Sequence, residues 1–384
     1  MNEQDILDYV AKIRPRHRET EAEAREILEN KVKPLGSLGV LEDLAAVMAG
    51  IFEKLDYRIE KKADVIFCAD NGVFDEGFNK YPQQISRLVA EIMAVGKGGG
   101  SLLATALGAQ VKIINLGLKG GYKQGLCIPE ADLSAGRQQE SIRVVDRIIC
   151  PQGTGNITQG PALTREQVCL AMAIGIEEAE SLIDEGISVL SAGEIGLGNT
   201  ATSAAILAAL TGATAQEVTG IGSGSLGQAL DRKVAAVAKA LAVNQPDPDD
   251  VIGILSKIGG LDIAAMTGLY LACGHRRIPV VLDGFISLVA ALCAVRLQPA
   301  VKEFMILSHH SAEKGAGLAA RALGLNISPP DQEAERPLPP LHMGMRLGEG
   351  TGAVLMFPLL DCARQVLTYM ASFDDLDRWF PGWR

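Results

Sequence analysis

The chain has 384 residues, enough for two to three domains or for one large α/β domain with an appendage. Asp and Glu number 46 against 36 Lys and Arg, and the formal net charge of −10 argues against binding to nucleic acid or to an anionic membrane. Hydrophobic residues make up 48% of the chain and charged residues 21%, which excludes a disordered protein.

The cysteine and histidine content predicts a cytoplasmic protein without a metal centre. Seven cysteines are scattered without a CxxC pair, as expected for reduced thiols, and only five histidines occur. We see no secretory signal at the N-terminus. The longest apolar stretch, 278–297, contains Pro279, Asp283 and Gly284, which indicates a strand followed by a helix and not a membrane span.

In chain order, residues 1–60 are predicted to be helical, and short β-branched runs then alternate with helical runs. This alternation predicts a mainly parallel sheet covered on both faces, with ligands beyond the carboxyl ends of its strands. Residues 325–342 contain five prolines and are predicted to form a linker before a final helical segment. The predicted strands are 64–68, 110–116, 187–190, 280–282 and 304–307.

A GxGxxG pattern at 222–227 follows a predicted strand at 218–221 and opens a helix that carries Lys233. Such a loop can bind a phosphate through backbone N–H groups at a helix N-terminus. A single match is weak evidence in a chain with 42 glycines, so an NAD-dependent oxidoreductase is a poor alternative. GxxxxGK[ST] does not occur, which excludes a P-loop nucleotidase at the motif level.

The segment 193–200, GEIGLGNT, opens an Ala-rich helix after a predicted strand. Its glycines would let the backbone approach an anion, and Asn199 and Thr200 could both cap the helix and bind a ligand. The alternative is an ordinary capped loop with Glu194 in solvent.

The segment 348–352, GEGTG, places Glu349 between glycines. Partial burial there would raise the pKa of its carboxyl and make it a competent general base, whereas the alternative is a surface turn.

His309, His310 and Glu313 raise the question of a metal site. HHxxE differs from HExxH and lacks an evident third ligand, so the pattern favours a loop-and-cap role.

Nine stretches together resemble the family of nicotinate-nucleotide:dimethylbenzimidazole phosphoribosyltransferases, which make the lower-ligand nucleotide of cobalamin. They occur in the family's order and span nearly the whole chain. They are KPLGSLGVLEDLA (33–45), ADNGVFDEGFNKYPQ (69–83), GTGNITQGPALT (153–164), GEIGLGNT (193–200), LGQALDRK (226–233), GGLDIAAMTG (259–268), RIPVVLDGFI (277–286), SHHSAEKG (308–315) and MRLGEGTGA (345–353).

The resemblance implies an α/β fold with a Rossmann-like, mainly parallel sheet flanked by helices. A small helical domain would be formed by the two chain ends. The expected division is 1–60 and 326–384 for the ends and 61–325 for the large domain. The resemblance also implies a dimer, either of identical chains or with a homologous subunit.

The implied reaction transfers 5-phosphoribosyl from nicotinate mononucleotide to an aromatic base, with inversion at C1′ and release of nicotinate. The mononucleotide is a substrate, and no cofactor or metal is expected. Carried over residue by residue, Glu349 is the general base, with Glu194 and Lys233 as the other charged groups of the site. The ribose-phosphate cradle would be Gly196, Gly198, Asn199, Thr200, Gly222, Ser223 and Gly224. Further substrate contacts would be Thr154, Asn156, Asp283, Ser308, Gly350, Thr351 and Gly352, and the acceptor pocket would comprise Asp70, Asn71, Asn79, Tyr81 and Ser86.

Three departures from the family pattern bear on the substrates. The family usually reads ADHGV, GRGTG and GNTT where this chain has Asn71, Ser223 and Ala201 at the variable positions. The missing Arg at 223 alters the expected phosphate contacts, and changes within 70–88 alter the expected acceptor pocket. These departures suit the two-subunit homologues that attach phenol or p-cresol. The alternative is a catalytically weak paralogous subunit that supports an active partner.

Overall fold

The computed structural model describes residues 1–120, 141–325 and 340–383, and these form one six-stranded parallel sheet. The strand order is β3-β2-β1-β4-β5-β6, the arrangement of a doubly wound Rossmann fold. The predicted fold class is therefore confirmed. The strands are β1 (Lys61–Ala69), β2 (Gln110–Gly117), β3 (Ile142–Asp146), β4 (Ile187–Ile195), β5 (Val280–Leu282) and β6 (Met305–Leu307).

Helices cover both faces of the sheet and make up both chain ends. They are α1 (Glu3–Val10), α2 (Arg18–Glu29), α3 (Val40–Phe52), α4 (Ile85–Ala94), α5 (Gly99–Ala106), α6 (Arg165–Asp184), α7 (Asn199–Thr211), α8 (Ala215–Val218), α9 (Gln228–Asn244), α10 (Val251–Ile258), α11 (Leu261–Arg276), α12 (Phe285–Leu297), α13 (Ala316–Leu323), α14 (Thr351–Tyr369) and α15 (Phe373–Trp379).

Strand β1 contributes side chains to two hydrophobic cores, one on each face of the sheet. Val65 and Phe67 belong to the cluster that contains residues of α6 and α11, whereas Ile66 and Cys68 belong to the cluster that contains residues of α3 and α14. Successive side chains of a strand point to opposite faces, so this central strand must be apolar on both. The unbroken apolar run of β1 follows from that position.

The two chain ends contact each other. Helix α3 packs against α2 and α14. The backbone of Val32 donates to Ala371 O at 2.8 Å, and that of Phe373 donates to Asn30 O at 2.9 Å. Helix α1 instead packs on α6, where the Tyr9 hydroxyl donates to Glu180 at 2.5 Å. The domain boundaries stay a prediction, and most of the proline-rich linker, 326–339, lies outside the described residues.

Two local predictions differ from the structure. The segment 218–221 is not a strand, because α8 ends at Val218 and the chain continues as a loop. A capping box between Thr214 and Glu217 stabilises the helical turn that precedes it. The edge strand β3 was not among the predicted strands, and its residues are partly exposed.

Helices α6 and α11 lie unusually close because glycines face the opposing backbone. A Cβ on Gly175 would overlap the carbonyl oxygen of Ala265, and one on Gly268 would overlap that of Met172. The reciprocal placement brings the two helix backbones together behind the centre of the sheet. The contact therefore depends on the absence of a side chain at both positions.

Gly175→Ala is expected to destabilise the protein, because neither backbone can yield without moving a helix. Overpacking of this kind costs about 1–3 kcal/mol, which for a chain of this size corresponds to a fall in Tm of about 1–4 °C. Gly317→Ala in α13 is the matched control, since its Cβ would meet only Arg321 Nη1 at 3.5 Å. Differential scanning calorimetry measures both. An equal Tm for the two variants would contradict the close-packing argument.

Candidate active site

A cavity of about 770 Å³ opens beyond the carboxyl ends of β4 and β5, next to the point where the strand order reverses. This is where ligands bind in sheets of this kind. Its lining comes from α4, from the loops after β4 and β5, from the loop before α9 and from the turn before α14. Most of the residues predicted to bind substrate belong to these segments.

The structure brings together predicted residues from five separate segments of the chain. Glu194, Asp283 and Glu349 line the cavity, although they lie far apart in the chain. The other predicted residues in the lining are Gly196, Gly198, Asn199, Thr200, Gly222, Ser223, Gly224, Tyr81 and Ser86.

Glu349 sits in a strained turn. Its φ is +60°, and the flanking Gly348 and Gly350 have φ of +84° and +76°. A glutamate in the left-handed region costs about 1–3 kcal/mol and is kept only where the surroundings enforce it. Gly193 on β4 helps to enforce it, since a Cβ there would overlap the peptide between Glu349 and Gly350.

Asp283 fixes the turn from the end of β5. Its carboxylate accepts hydrogen bonds from the backbone N–H groups of Gly350, Gly352 and Ala353 at 3.1, 2.8 and 3.2 Å. A negative side chain thus occupies the positive N-terminus of α14. Gly350 and Gly352 lie outside the cavity lining, and so does Thr351, whose hydroxyl donates to Gly348 O at 2.7 Å. The backbone N–H groups of Gly350 and Gly352 bind Asp283, whereas the sequence predicted substrate contacts for all three residues.

Two opposing effects act on the carboxyl of Glu349. Burial raises its pKa above the ordinary value, while the backbone N–H groups of Gly99 and Gly100 lower it. The carboxylate of Asp283 also raises this pKa. The net result is a half-buried carboxyl with a raised pKa at the cavity wall. A general base is most effective when its pKa is brought towards the working pH.

Glu194 forms a fully buried cluster with Asp262. Asn199 Nδ2 donates to Glu194 Oε2 and, at 3.2 Å, to Asp262 Oδ2. Burial, followed by the charge of Asp262, raises the pKa of Glu194 well above its usual range. Burial also raises the pKa of Asp262 to about 7. The raised pKa favours the protonated form of the Glu194 carboxyl, whereas the sequence suggested a free carboxylate.

A further buried carboxyl lies beneath the Glu349 turn. Asp64 on β1 accepts a hydrogen bond from Ser191 Oγ at 2.6 Å, and burial raises its pKa to about 7. Within the described part of the chain its other oxygen has no hydrogen-bond partner. That oxygen lies against Gly350, where a Cβ would overlap it. The turn can therefore approach the sheet only with glycine at 350.

Lys233 lies below the 220–224 turn and not in the cavity wall. Its side chain is 1% exposed and donates to Thr200 Oγ1 and to Gly220 O, both at 2.9 Å. Burial lowers its pKa to about 8, while the nearby carboxylate of Glu313 raises it. Glu313 also accepts from the backbone N–H of Gly222 at 3.1 Å. Lys233 thus supports Thr200 and the turn from beneath.

Two helix N-termini face the cavity. Gly198 to Thr200 at the start of α7 and Gly284 to Ser287 at the start of α12 are part of its lining. Across the residues that the structure describes, no side chain caps either of these first turns. Unpaired N–H groups at two helix starts favour an anionic ligand.

The residues predicted for the acceptor pocket differ in their position. Tyr81 and Ser86 line the cavity beside the apolar side chains of Ile85, Val89 and Leu347. Asp70 and Asn71 do not line it, because the loop after β4 covers them: a Cβ on Gly196 of that loop would overlap Ala69 O, immediately before them in the chain. Asn79 also lies outside the lining.

Three other predicted contacts also lie away from the cavity. Thr154 accepts from the backbone N–H of Gly72 at 3.2 Å, and Asn156 donates to Glu76 at 2.8 Å. Both side chains fasten neighbouring loops to each other. Ser308 is buried and donates to Leu282 O at 2.6 Å, joining the ends of β5 and β6.

Sequence reasoning missed several cavity residues. Ser287, Ser311, Glu313 and Arg346 line the cavity, and Arg346 Nη1 donates to Gly222 O at 3.1 Å. All four lie in or next to stretches that carried the family resemblance, which is the signal that could have found them. The loop role predicted for Glu313 agrees with its contact to Gly222.

Two further findings concern the described residues, 1–120, 141–325 and 340–383. No group of three or more His, Cys, Asp and Glu side chains among them has the arrangement of a metal site. The helices found there are all too short or too polar to span a bilayer.

Comparisons with known proteins agree with the fold and show the family. A family model described as phosphoribosyltransferase matches residues 13–376. The nicotinate-nucleotide–dimethylbenzimidazole phosphoribosyltransferase of Alkaliphilus metalliredigens is 38% identical over 357 residues, covering 93% of this chain and 94% of that protein. The protein of the same name from Geobacter metallireducens is 37% identical and covers 96% of each chain. The crystal structure of CobT from Thermus thermophilus is similar with a TM-score of 0.81 at 34% identity, covering 93% of this chain and 98% of that one. The chain therefore belongs to the phosphoribosyltransferase family and is an enzyme of that family.

Proposed function

We propose that this enzyme transfers the 5-phosphoribosyl group of nicotinate mononucleotide to an aromatic base. The products would be nicotinate and the α-linked nucleotide that becomes the lower ligand of a cobamide. The observation that carries the proposal is that Glu349 and Glu194 meet in one cavity with two uncapped helix N-termini. The names of the relatives point to the same donor.

The reaction needs one bond broken and one formed at C1′ of the ribose. The bond from C1′ to the pyridinium nitrogen breaks, and its electron pair leaves with nicotinate. The acceptor atom attacks C1′ from the opposite face, which inverts the configuration. The acceptor loses its proton to Glu349, the carboxyl at the cavity wall that is better able to ionise.

The two glutamates suit different roles because their surroundings differ. Backbone N–H groups oppose the effect of burial at Glu349, whereas at Glu194 the charge of Asp262 adds to it. Titratable pairs whose pKa values are pushed apart divide into acid and base. Glu349 is the base, and Glu194, whose pKa is raised well above its ordinary value, is suited to donate a hydrogen bond to the substrate.

The phosphate end of the donor would lie at the anion-binding side of the cavity. The first turns of α7 and α12 supply N–H groups there, and Arg346 adds a cation to the lining. Lys233 acts from below by holding Thr200 and the 220–224 turn. Serine at 223 leaves this turn without the arginine that the family usually has there.

The acceptor would lie against the apolar side of the cavity. Tyr81, Ile85, Val89 and Leu347 provide a wall on which an aromatic ring can stack. We extend the proposal to phenolic acceptors such as phenol and p-cresol, which need a base because a phenol has a pKa of about 10. Departures from the family pattern near Tyr81 and Ser86 motivate that extension.

The alternative, a weak subunit that supports an active partner, shares this site. The presence of both glutamates at one cavity favours turnover by the chain itself.

We expect a dimer, formed by two copies or with a homologous subunit, and light scattering measures it. The assays below are therefore run on the purified chain and on any complex isolated with it.

Glu349→Gln should lower kcat by about 10²–10⁴-fold, since it keeps the shape of the turn and removes the base. The KM for nicotinate mononucleotide should change little. The wild-type rate should fall with decreasing pH as Glu349 is protonated, and the variant should lose that acid limb. Steady-state assays from pH 5 to 9 test this, with Glu19→Gln (side chain 94% exposed) as control. A near-normal rate for Glu349→Gln would refute the assignment.

Lys233→Met should weaken donor binding, because the turn and Thr200 lose the cation beneath them. We expect the Kd of nicotinate mononucleotide to rise by about tenfold, as for one lost charge-assisted hydrogen bond. Calorimetric titration measures this, and Lys239→Met on the exposed side of the same helix is the matched control. A change in kcat alone would contradict the supporting role.

Assays with a panel of acceptors test the proposed transferase activity and its extension to phenols together. Nicotinate release should require an acceptor, and phenol and p-cresol should be used alongside or in preference to dimethylbenzimidazole. Chromatography of nicotinate and of the nucleotide product provides the measurement. Release without an acceptor would refute transferase activity. Good use of dimethylbenzimidazole with no use of the phenols would refute the phenolic extension alone.

A further inference from the structure

The motif GKGGGS at 96–101 lies outside the cavity lining, yet its glycines lie against Glu349. Its glycines open α5, whose first residue is Gly99 and whose N-cap is Gly98. The ideal Cβ position of Gly99 is 3.2 Å from Glu349 Oε2. A Cβ on Gly100 would overlap the carbonyl oxygen of Glu349. The helix therefore begins in direct contact with both the backbone and the side chain of Glu349.

The absence of side chains is what allows this approach. Gly99 and Gly100 do not have a positive φ, so backbone conformation does not require glycine at either position. The requirement is steric, because Leu347, Met93 and the Glu349 turn occupy the space that Cβ atoms would need. The close approach lets both backbone N–H groups reach the carboxylate.

The charges around Glu349 make these two donors important. Asp283 at the end of β5 is negative, Glu194 on β4 faces the turn, and Asp64 on β1 lies beneath Gly350. Cys68 on β1 also lies near Glu349. None of these groups is a cation, and the charge of Asp283 raises the pKa of Glu349 in the same direction as burial. The helix start at Gly99 opposes them with the positive end of a helix dipole.

We infer that Gly99 and Gly100 are positioning residues of the active site: their backbone N–H groups bind the Glu349 carboxylate, hold it at the cavity wall and stabilise its ionised form. The inference rests on the proposed function for its kinetic consequence. Without these donors the carboxyl would be protonated over a wider pH range, as Glu194 is. A protonated Glu349 cannot accept the proton of an acceptor.

The test compares two substitutions at Gly99. Proline at the first position of a helix is well tolerated and removes the N–H group. Gly98 has φ −78° and ψ 156°, a conformation that a following proline accepts. Gly99→Ala adds the same Cβ and keeps the N–H group, so it is the matched control. Leu102→Ala, on the exposed side of α5, controls for changes to the helix itself.

We expect the acid limb of the rate profile of Gly99→Pro to move to higher pH by about one unit relative to Gly99→Ala. At pH values below this limb, the rate of Gly99→Pro should therefore be about tenfold lower than that of Gly99→Ala. The KM for nicotinate mononucleotide should stay within about twofold, and Leu102→Ala should match the wild type. In a Glu349→Gln background, Gly99→Pro and Gly99→Ala should have equal rates, because the effect passes through Glu349.

Superimposable pH profiles for Gly99→Pro and Gly99→Ala would overturn the inference. If the wild type releases no nicotinate, the proposed function fails. The carboxyl ¹³C titration of Glu349, identified by its loss in Glu349→Gln, then decides the inference separately. A higher midpoint in Gly99→Pro supports it, and an equal midpoint refutes it. If thermal unfolding shows that Gly99→Pro does not fold, Gly100→Ala replaces it, with the same upward shift expected relative to wild type.

Discussion

The hydrogen bonds between Asp283 and the start of α14 are the interaction on which the site depends. They join the end of a central strand to the helix that begins directly after the Glu349 turn. Charge-assisted hydrogen bonds are among the stronger ones in proteins, and three of them can offset the about 1–3 kcal/mol of strain at a left-handed glutamate. The turn keeps its shape because the sheet holds it.

Because the hydrogen bonds of Asp283 hold the turn against the sheet, the carboxyl groups of the site lie buried and their pKa values are shifted. Glu349, Glu194, Asp262 and Asp64 all lie close to one another, and desolvation raises the pKa of each. What differs is the set of hydrogen-bond donors: backbone N–H groups for Glu349, one shared amide for Glu194 and Asp262, and one hydroxyl for Asp64. The hydrogen-bond donors around each carboxyl group therefore influence its chemical role more than its identity as Asp or Glu does.

The sequence was sufficient for five of the six strands of the sheet and for the residues at the ends of those strands. Apolar β-branched runs mark β1, β2, β4, β5 and β6, and parallel strands place their carboxyl ends at one edge. Glu194 and Asp283 follow that rule, so their convergence could be predicted. Glu349 follows no strand, and only the family resemblance placed it with the others.

Packing determined those positions of side chains and segments that the sequence alone could not predict. Lys233 lies on the predicted helix, but its direction depends on Thr200 and Gly220, which are far from it in the chain. Asn71 follows β1 as expected, yet the loop after β4 covers it. The 218–221 segment has β-branched residues but adjoins a helical turn with its own capping box. For Lys233 and Asn71 a contact between distant segments decides the position, and for 218–221 the adjoining helical turn does.

The covered position of Asn71 changes where acceptor selectivity should be sought. A residue that does not reach the cavity can alter the acceptor only by moving the loop above it. Tyr81, Ile85 and Val89 contact the cavity directly, and Leu347 completes the wall from the turn that carries Glu349. Because this wall and the base belong to adjoining segments, the ring that stacks on the wall also determines which of its atoms can lie near Glu349. On the proposed function, shape selection of the acceptor and removal of its proton would therefore be coupled through the turn that Asp283 holds.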